Sequence, residues 1–452
     1  MKPLWLSADT EIKLSDAVAV PFPEYLLRAD VAKLENFCIR IREMGYDGVI
    51  FGHCGEKNRI QKPRTDISQF LKLLNKYAIH WVIHPKLLGT DLKRCPVDPG
   101  FQELLKEIIK TLSHTFPEAS GIFWESGLEN PAYFSHSKAK YAIQADLVQE
   151  ELNNLEQCMS GKLLFFYIPC SGLENAKRQA SWLFRLQSTV CKTTRIVFSA
   201  FAGSPYEDHL PSHPCWEILG QKNSLRHLSL MPVINCGGLR QGEGLWPALT
   251  FDLFDTQISR LHRCRFAGAI TLAKQIPAGR GFLDCNLTVG SKLQEKEGNA
   301  DLLIDEWFRE YKKEIVYTAY RPQLKKLRDM VIDLSLLKSE TLAQDQGKYL
   351  IESMLSQLQL CECSFSKKRA PQILSDYFDY FAKDVRRMIS HYALLLNINV
   401  SGRIKEDHQP SFWTQSTTGL SNPAKVVILD HPIAGLAGSR MESIFKENYF
   451  CI

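Results

Sequence analysis

The sequence predicts a barrel of eight parallel strands alternating with helices, followed by an all-helical domain. Short apolar runs alternate with amphipathic helical stretches over the first two thirds of the chain, as in repeated strand-helix units. Beyond that part only the helical spacing of apolar residues continues. The length of 452 residues also exceeds what one core supports, so a barrel and a second unit fit it together.

Eight apolar runs have the length of buried strands. They are Leu4 to Leu6, Gly48 to Phe51, Trp81 to Ile83, Gly121 to Trp124, Leu163 to Ile168, Ile196 to Ala200, Leu230 to Ile234 and Ala267 to Leu272. The helical stretches between them are Ala29 to Met44, Ile67 to Tyr77, Phe101 to Thr115, Ala139 to Cys158, Glu174 to Leu186 and Phe251 to Cys264. This order favours a closed barrel, and a doubly wound open sheet is the alternative.

We expect three parts along the chain: a barrel over residues 1–300, a helical domain over 301–400 and a loop-rich tail over 401–452. The helical part contains four amphipathic stretches, Asp301 to Val316, Gln323 to Lys338, Thr341 to Leu360 and Pro371 to Leu396. Such helices are compatible with a homodimer, with a rim of the site or with a docked partner, because all three bury the same kind of apolar face.

Composition excludes several classes of protein. The formal charge of +5 is small, and Lys and Arg are interspersed with Asp and Glu, which argues against a nucleic-acid partner. No apolar run resembles a signal peptide or a membrane span, so we expect a cytoplasmic protein without a membrane partner. The 13 Cys are scattered without zinc-type pairs and indicate reduced thiols. No phosphate-loop or dinucleotide motif is present, so we expect no cofactor.

Glu125 is the strongest candidate for catalysis. It follows the apolar run Gly121-Ile-Phe-Trp directly and precedes turn residues at Gly127 and Asn130-Pro131. In a barrel of parallel strands the chemistry collects at the carboxyl ends of the strands, where Glu125 is then placed. The plainer interpretation is a Glu that pairs with an Arg or caps the next helix.

Polar and aromatic residues follow the other runs as well. The candidates for substrate binding are His53, Lys86, Trp124, Tyr167, Tyr206, Glu207 and Asn235. Paired carboxylates suggest glycoside hydrolysis, in which one acid protonates the leaving oxygen and an opposite carboxylate activates water or attacks carbon. Glu125 with Asp208 is the predicted catalytic pair. The aromatic rings would stack on sugars, and Lys86 would hold an acidic substituent.

A metal site is the competing interpretation. His53, His84 and Asp208 could converge with His136 or His209, but no local ligand spacing supports this. We therefore predict no metal.

The order of these motifs resembles the α-glucuronidases, which remove glucuronic acid side groups from xylan fragments. The similarity spans roughly residues 25 to 310 and includes Leu88-Gly-Thr-Asp, Trp124-Glu125-Ser-Gly127 and Phe201-Ala-Gly203-Ser-Pro205-Tyr-Glu-Asp208. It implies a (β/α)₈ glycoside hydrolase with Glu125 as the acid and Asp208 as a base. The chain departs from the family at Asn235-Cys236, where the family has a second base carboxylate.

We therefore expect a glycoside hydrolase that acts on a glycan or oligosaccharide, with release of a uronic acid implied by the resemblance alone. A non-catalytic carbohydrate-binding or scaffold protein descended from a glycosidase is the alternative, since it explains Asn235 directly. A metal-dependent hydrolase is the third hypothesis.

Overall fold

The computed structural model describes most of the expected strands and helices. The described ranges are residues 3–8, 10–13, 18–22, 29–53, 67–87, 99–126, 141–159, 161–168, 193–199, 228–235, 268–273, 282–295, 298–311, 317–336 and 344–366, with isolated residues elsewhere up to 399. The predicted tail 401–452 lies outside them.

Eight parallel strands close into a barrel. They are β1 (Pro3–Ala8), β4 (Gly48–His53), β5 (His80–Ile83), β7 (Gly121–Glu125), β8 (Leu163–Ile168), β9 (Thr194–Ser199), β10 (Leu230–Asn235) and β11 (Ile270–Ala273). Neighbours in sequence are neighbours in the sheet, and β1 pairs with both β4 and β11, which closes the ring. All eight predicted runs overlap these strands, so the predicted parallel sheet is confirmed.

Side chains alternate between the barrel interior and the layer beneath the helices. Phe123 belongs to the small interior cluster, whereas its neighbours Ile122 and Trp124 belong to the large outer cluster. Phe165 and Tyr167 lie inside and Phe166 outside in the same way on β8. This alternation follows from the two-residue repeat of a strand.

A small antiparallel sheet beside the barrel was not predicted. It consists of β2 (Thr10–Lys13), β3 (Val18–Phe22) and β6 (Lys86–Leu87), in the order β2-β3-β6. It connects the segment after β1 with the segment after β5, which places it at the carboxyl end of the barrel strands.

Four helices lie between the barrel strands in the described ranges. They are α1 (Val31–Glu43), α2 (Ile67–Lys76), α3 (Pro99–Thr115) and α4 (Tyr141–Cys158), each within two residues of its predicted bounds. The helices predicted at Glu174 to Leu186 and Phe251 to Cys264 fall largely outside the described residues.

Two of these helices end in the same hydrogen-bonded motif. After α1, Gly45 has φ +83°, its N–H donates to the Arg42 carbonyl, and the Tyr46 N–H donates to the Ile41 carbonyl. After α2 the corresponding left-handed residue is Ala78, with φ +52°. Since Ala carries a Cβ in a conformation that favours glycine, the end of α2 is strained.

The rest of the described chain is helical. It contains α5 (Phe282–Glu295), α6 (Ala300–Tyr311), α7 (Tyr317–Leu336) and α8 (Gln344–Phe365). Helix α5 was not predicted, and α7 begins at Tyr317, before the predicted start at Gln323, and contains Pro322. The buried hydrophobic residues of α5 to α8 belong to the same apolar cluster as the outer layer of the barrel. The division into domains stays a prediction.

Within the described ranges, no helix has the length and apolarity needed to cross a bilayer.

Candidate functional site

Glu125 lies at the rim of the barrel, at the carboxyl end of β7. It is the last residue of the strand and pairs in register with Tyr167 of β8. Two residues before it, Phe123 lies inside the barrel, so the alternation directs Glu125 to the same side. Its side chain is 42% exposed, whereas the four residues before it in the strand are buried. The strand therefore presents one solvent-accessible carboxylate at the barrel mouth.

His84 approaches Glu125 from the neighbouring strand. It follows β5 and is nearly buried, and its Nε2 lies 3.7 Å from Glu125 Oε2. That distance is longer than a direct hydrogen bond, and a small movement of either side chain would bring the two atoms into hydrogen-bonding range. The His84 ring packs edge-on against Phe123, with 5.0 Å between centroids. An aromatic contact of this kind fixes the imidazole beside the carboxylate.

The floor beneath Glu125 is aromatic. The rings of Phe123 and Tyr167 lie 5.5 Å apart inside the barrel, and both residues are fully buried. The mouth therefore combines one accessible carboxylate and one imidazole above an apolar floor. This arrangement is suited to proton transfer.

The outer side of the same strand end is held by a buried carboxylate of α4. The Trp124 indole Nε1 donates to Glu151 Oε1 at 2.9 Å, and the Ser126 hydroxyl donates to Glu151 Oε2 at 2.8 Å. Trp124, Ser126 and Glu151 are each at most 3% exposed. Trp124 was predicted to shape a sugar pocket, but its buried indole offers no open face to a sugar and supports the strand from behind.

The remaining predicted residues are only partly located. His53 ends β4, Asn235 ends β10 and Lys86 begins β6, so all three lie at or just beyond the carboxyl ends of strands. Their side chains are outside the described part of the chain. Asp208, Tyr206 and Glu207 fall in the segment between β9 and β10 and lie outside the described residues altogether. The structure therefore brings Glu125 and His84 together above Tyr167 and leaves the pairing with Asp208 a prediction. The prediction that Tyr167 stacks on a sugar is wrong, because its side chain is fully buried inside the barrel.

Metal-ligand clusters are absent from the residues that the structure describes: no group of three or more His, Cys, Asp or Glu side chains converges there. Of the proposed metal ligands, His84 alone has a described side chain, and it faces Glu125. The metal hypothesis at His53 and Asp208 stays untested.

Sequence reasoning missed Glu151 as a neighbour of the site. A signal was present, because Glu151 lies three and four residues from Val148, Leu147 and Leu155, which form the buried stripe of α4. A carboxylate within an apolar stripe indicates a buried partner, although the partner's identity requires the fold.

Comparison with known proteins finds only distant similarity to solved structures. No protein-family model matches the chain, and no curated protein matches it. Among solved structures, a mutant O-GlcNAc hydrolase of Thermobaculum terrenum is 10% identical with a TM-score of 0.42, over 87% of this chain and 88% of that one. A putative alpha-L-fucosidase of Bacteroides thetaiotaomicron is 12% identical with a TM-score of 0.39, over 68% and 94%. An endo-1,4-beta-mannanase of Rhizomucor miehei is 10% identical with a TM-score of 0.39, over 64% and 100%. The similar structures thus include glycoside hydrolases, and the barrel itself is established by the strand pairing of this chain.

Proposed function

We propose that the protein is a glycoside hydrolase in which Glu125 is the general acid. The observation that carries the proposal is the position of this carboxylate: it is accessible, it ends a buried strand, and it faces the mouth of the barrel beside His84. Catalytic groups of such barrels come from the carboxyl ends of their strands.

In the proposed reaction, Glu125 gives its proton to the glycosidic oxygen while the bond from that oxygen to the anomeric carbon breaks. A protonated carboxylic acid is needed for this step, and a general acid typically contributes about 10²- to 10⁴-fold in rate. His84 lies near enough to orient the carboxyl group of Glu125.

The second carboxylate is Asp208. It lies in the segment that follows β9, so it enters the mouth from the carboxyl end of that strand in this proposal. In one route Asp208 removes a proton from water, which bonds to the anomeric carbon, and Glu125 regains its proton from solvent. In the other route Asp208 bonds to that carbon, and a water that gives its proton to Glu125 then displaces Asp208 and releases the sugar. The separation of the two carboxyl groups decides between these routes, at about 6.5–9.5 Å for inversion and about 5–5.5 Å for retention.

The substrate is proposed to be a glycan that carries a uronic acid. The support is the resemblance of the segments around Glu125 and Asp208 to the α-glucuronidases, together with Lys86, a cation that follows β5 and begins β6. An ammonium group there would pair with the substrate carboxylate.

The test is hydrolysis of a panel of aryl glycosides and glucuronic-acid-decorated oligosaccharides by the wild type, Glu125→Gln and Glu118→Gln. Glu118 is an exposed Glu before β7, at the opposite end of the same strand, and serves as the matched control. For Glu125→Gln we expect the rate to fall about 10²-fold or more on substrates with poor leaving groups. The rate should fall much less on nitrophenyl glycosides, because nitrophenolate leaves without being protonated. Equal rates for the wild type and Glu125→Gln on every substrate would rule out the acid.

A non-catalytic carbohydrate-binding protein is the second candidate. Asn235 favours it, because this residue ends β10 where the resembling family carries a base carboxylate. This alternative predicts saturable heat of binding for an oligosaccharide in calorimetry with no product formed, and release of product would exclude it.

A further inference from the structure

We propose that Glu151 is a positioning residue for Glu125, which it holds at the barrel mouth by hydrogen bonds to the residues on both sides of it. This inference rests on the proposed function, because it concerns the orientation of Glu125, the proposed general acid. Glu151 contacts Trp124 and Ser126, the residues on either side of Glu125.

The geometry places the carboxylate behind the strand end. Trp124 and Ser126 flank Glu125 in sequence, and each donates a side-chain hydrogen bond to a different oxygen of Glu151. Since neighbouring residues of a strand face opposite sides, two outward donors fix the one inward residue between them. The Ser126 N–H also donates to the Tyr167 carbonyl at 2.8 Å, which attaches the same strand end to β8.

The burial of these groups makes the arrangement restrictive. Glu151 is 2% exposed, so neither of its oxygens can exchange its donor for bulk water without a movement of the strand. Each oxygen of Glu151 therefore keeps its own donor, the Trp124 N–H for one and the Ser126 hydroxyl for the other. Ser126 is the last described residue after β7, so the two hydrogen bonds to Glu151 lie at the end of the described part of this strand.

The chain offers a matched control on the same helix. Glu156 also lies on α4 and also accepts a hydroxyl hydrogen bond from a strand residue, Thr194, at 2.6 Å. Thr194 begins β9, so this bond holds the opposite end of the barrel. If the two carboxylates only stabilise the fold, replacing either one should have a similar effect. If Glu151 positions Glu125, only the replacement of Glu151 should change the orientation of Glu125.

The experiment compares Glu151→Ala, Glu151→Gln and Glu156→Ala in the full chain. We expect Glu151→Ala to lower kcat at least about tenfold with little change in KM, because the acid is misdirected while the sugar still binds. Glu151→Gln should recover most of the rate, since its oxygen can accept from Trp124 and its amide can donate to the Ser126 oxygen. Glu156→Ala should keep the wild-type kcat.

Two readouts do not depend on activity. The first is hydrogen exchange of the Ser126 amide, which we expect to accelerate about tenfold or more in Glu151→Ala and not in Glu156→Ala. The second is the NMR chemical shift of the His84 ring at fixed pH, which should move in Glu151→Ala because Glu125 changes its distance to the imidazole. If Glu151→Ala does not fold, Ser126→Ala removes one of the two bonds and should change both readouts in the same direction.

The outcomes are distinguishable. Wild-type exchange at Ser126 together with an unmoved His84 signal in Glu151→Ala would overturn the positioning role, whatever the activity. Equal effects of Glu151→Ala and Glu156→Ala would also overturn it and leave a purely structural carboxylate. If the wild type hydrolyses no substrate, the proposed function fails, and the exchange and chemical-shift data still decide whether Glu151 holds the strand end.

Discussion

Replacement of Gly121 by Ala should weaken the barrel at the strand that carries Glu125. A Cβ at Gly121 would lie 2.2 Å from the carbonyl oxygen of Leu163 and 2.6 Å from its Cβ. Both atoms belong to the paired strand β8 and cannot swing away as the tip of a long side chain could. The two strands would have to separate by nearly an ångström at the point where they pair.

The expected cost is about 2–4 kcal/mol of unfolding free energy, from overpacking together with a weakened ladder hydrogen bond. Urea denaturation followed by circular dichroism measures it as a lower midpoint at an unchanged slope. The same substitution at two other glycines, Gly48 and Gly161, gives a comparison for the size of this loss. At Gly48 the new Cβ would meet the His80 carbonyl oxygen at 2.9 Å, and we expect a smaller loss of about 1–2 kcal/mol.

At Gly161 the new Cβ would meet nothing within 4 Å, so only its φ of +76° opposes the substitution. Backbone strain of this kind costs about 1 kcal/mol. The steric argument therefore predicts the order Gly121, Gly48, Gly161 for the loss of stability. A Gly121→Ala protein as stable as the wild type, or more stable than Gly161→Ala, would refute it.

Two further predictions concern stability and thiol reactivity. Ala78→Gly should raise the unfolding free energy by about 0.5–1 kcal/mol, because glycine relieves the φ of +52° at the end of α2, and an unchanged or lower denaturation midpoint would contradict this. Burial raises the pKa of the Cys38 thiol to about 12 and that of the Cys285 thiol well above its ordinary value, so both remain protonated and unreactive near pH 8. Iodoacetamide followed by mass spectrometry should modify the exposed Cys363 in the native protein and reach Cys38 and Cys285 only after denaturation, and early labelling of Cys38 would show that the argument from burial is wrong.

The barrel strands could be predicted because each is a short apolar run closed by turn residues. Runs such as Leu163 to Ile168 are buried on both faces, which is typical of parallel strands covered by helices. The antiparallel sheet could not be predicted in the same way. Its strands are short, and β3 pairs with β6, which is more than 60 residues later, so no local signal encodes the contact.

The sequence predicts which residues of the candidate site lie at strand ends, but it does not predict the directions of their side chains or their partners on other elements. The rule that catalytic groups follow barrel strands selects Glu125 and His84, and the structure places them 3.7 Å apart. The direction of Trp124 was not readable, because the run Gly121-Ile-Phe-Trp is apolar throughout and does not reveal which residues face inward. Glu151 is distant in sequence from its strand partners, so its role required the packing of α4 against β7.

The central claim is that Glu125 donates a proton to a glycosidic oxygen. The most direct test is the rate at which the wild type and Glu125→Gln release glucuronic acid from a decorated xylan oligosaccharide, a substrate with a poor leaving group. The account predicts turnover by the wild type and a rate at least about 10²-fold lower for the folded variant. Turnover at the same rate by both proteins would contradict the assignment of Glu125 as the acid. If the wild type hydrolysed neither this substrate nor any other glycoside tested, the proposal that the protein is a glycosidase would be wrong.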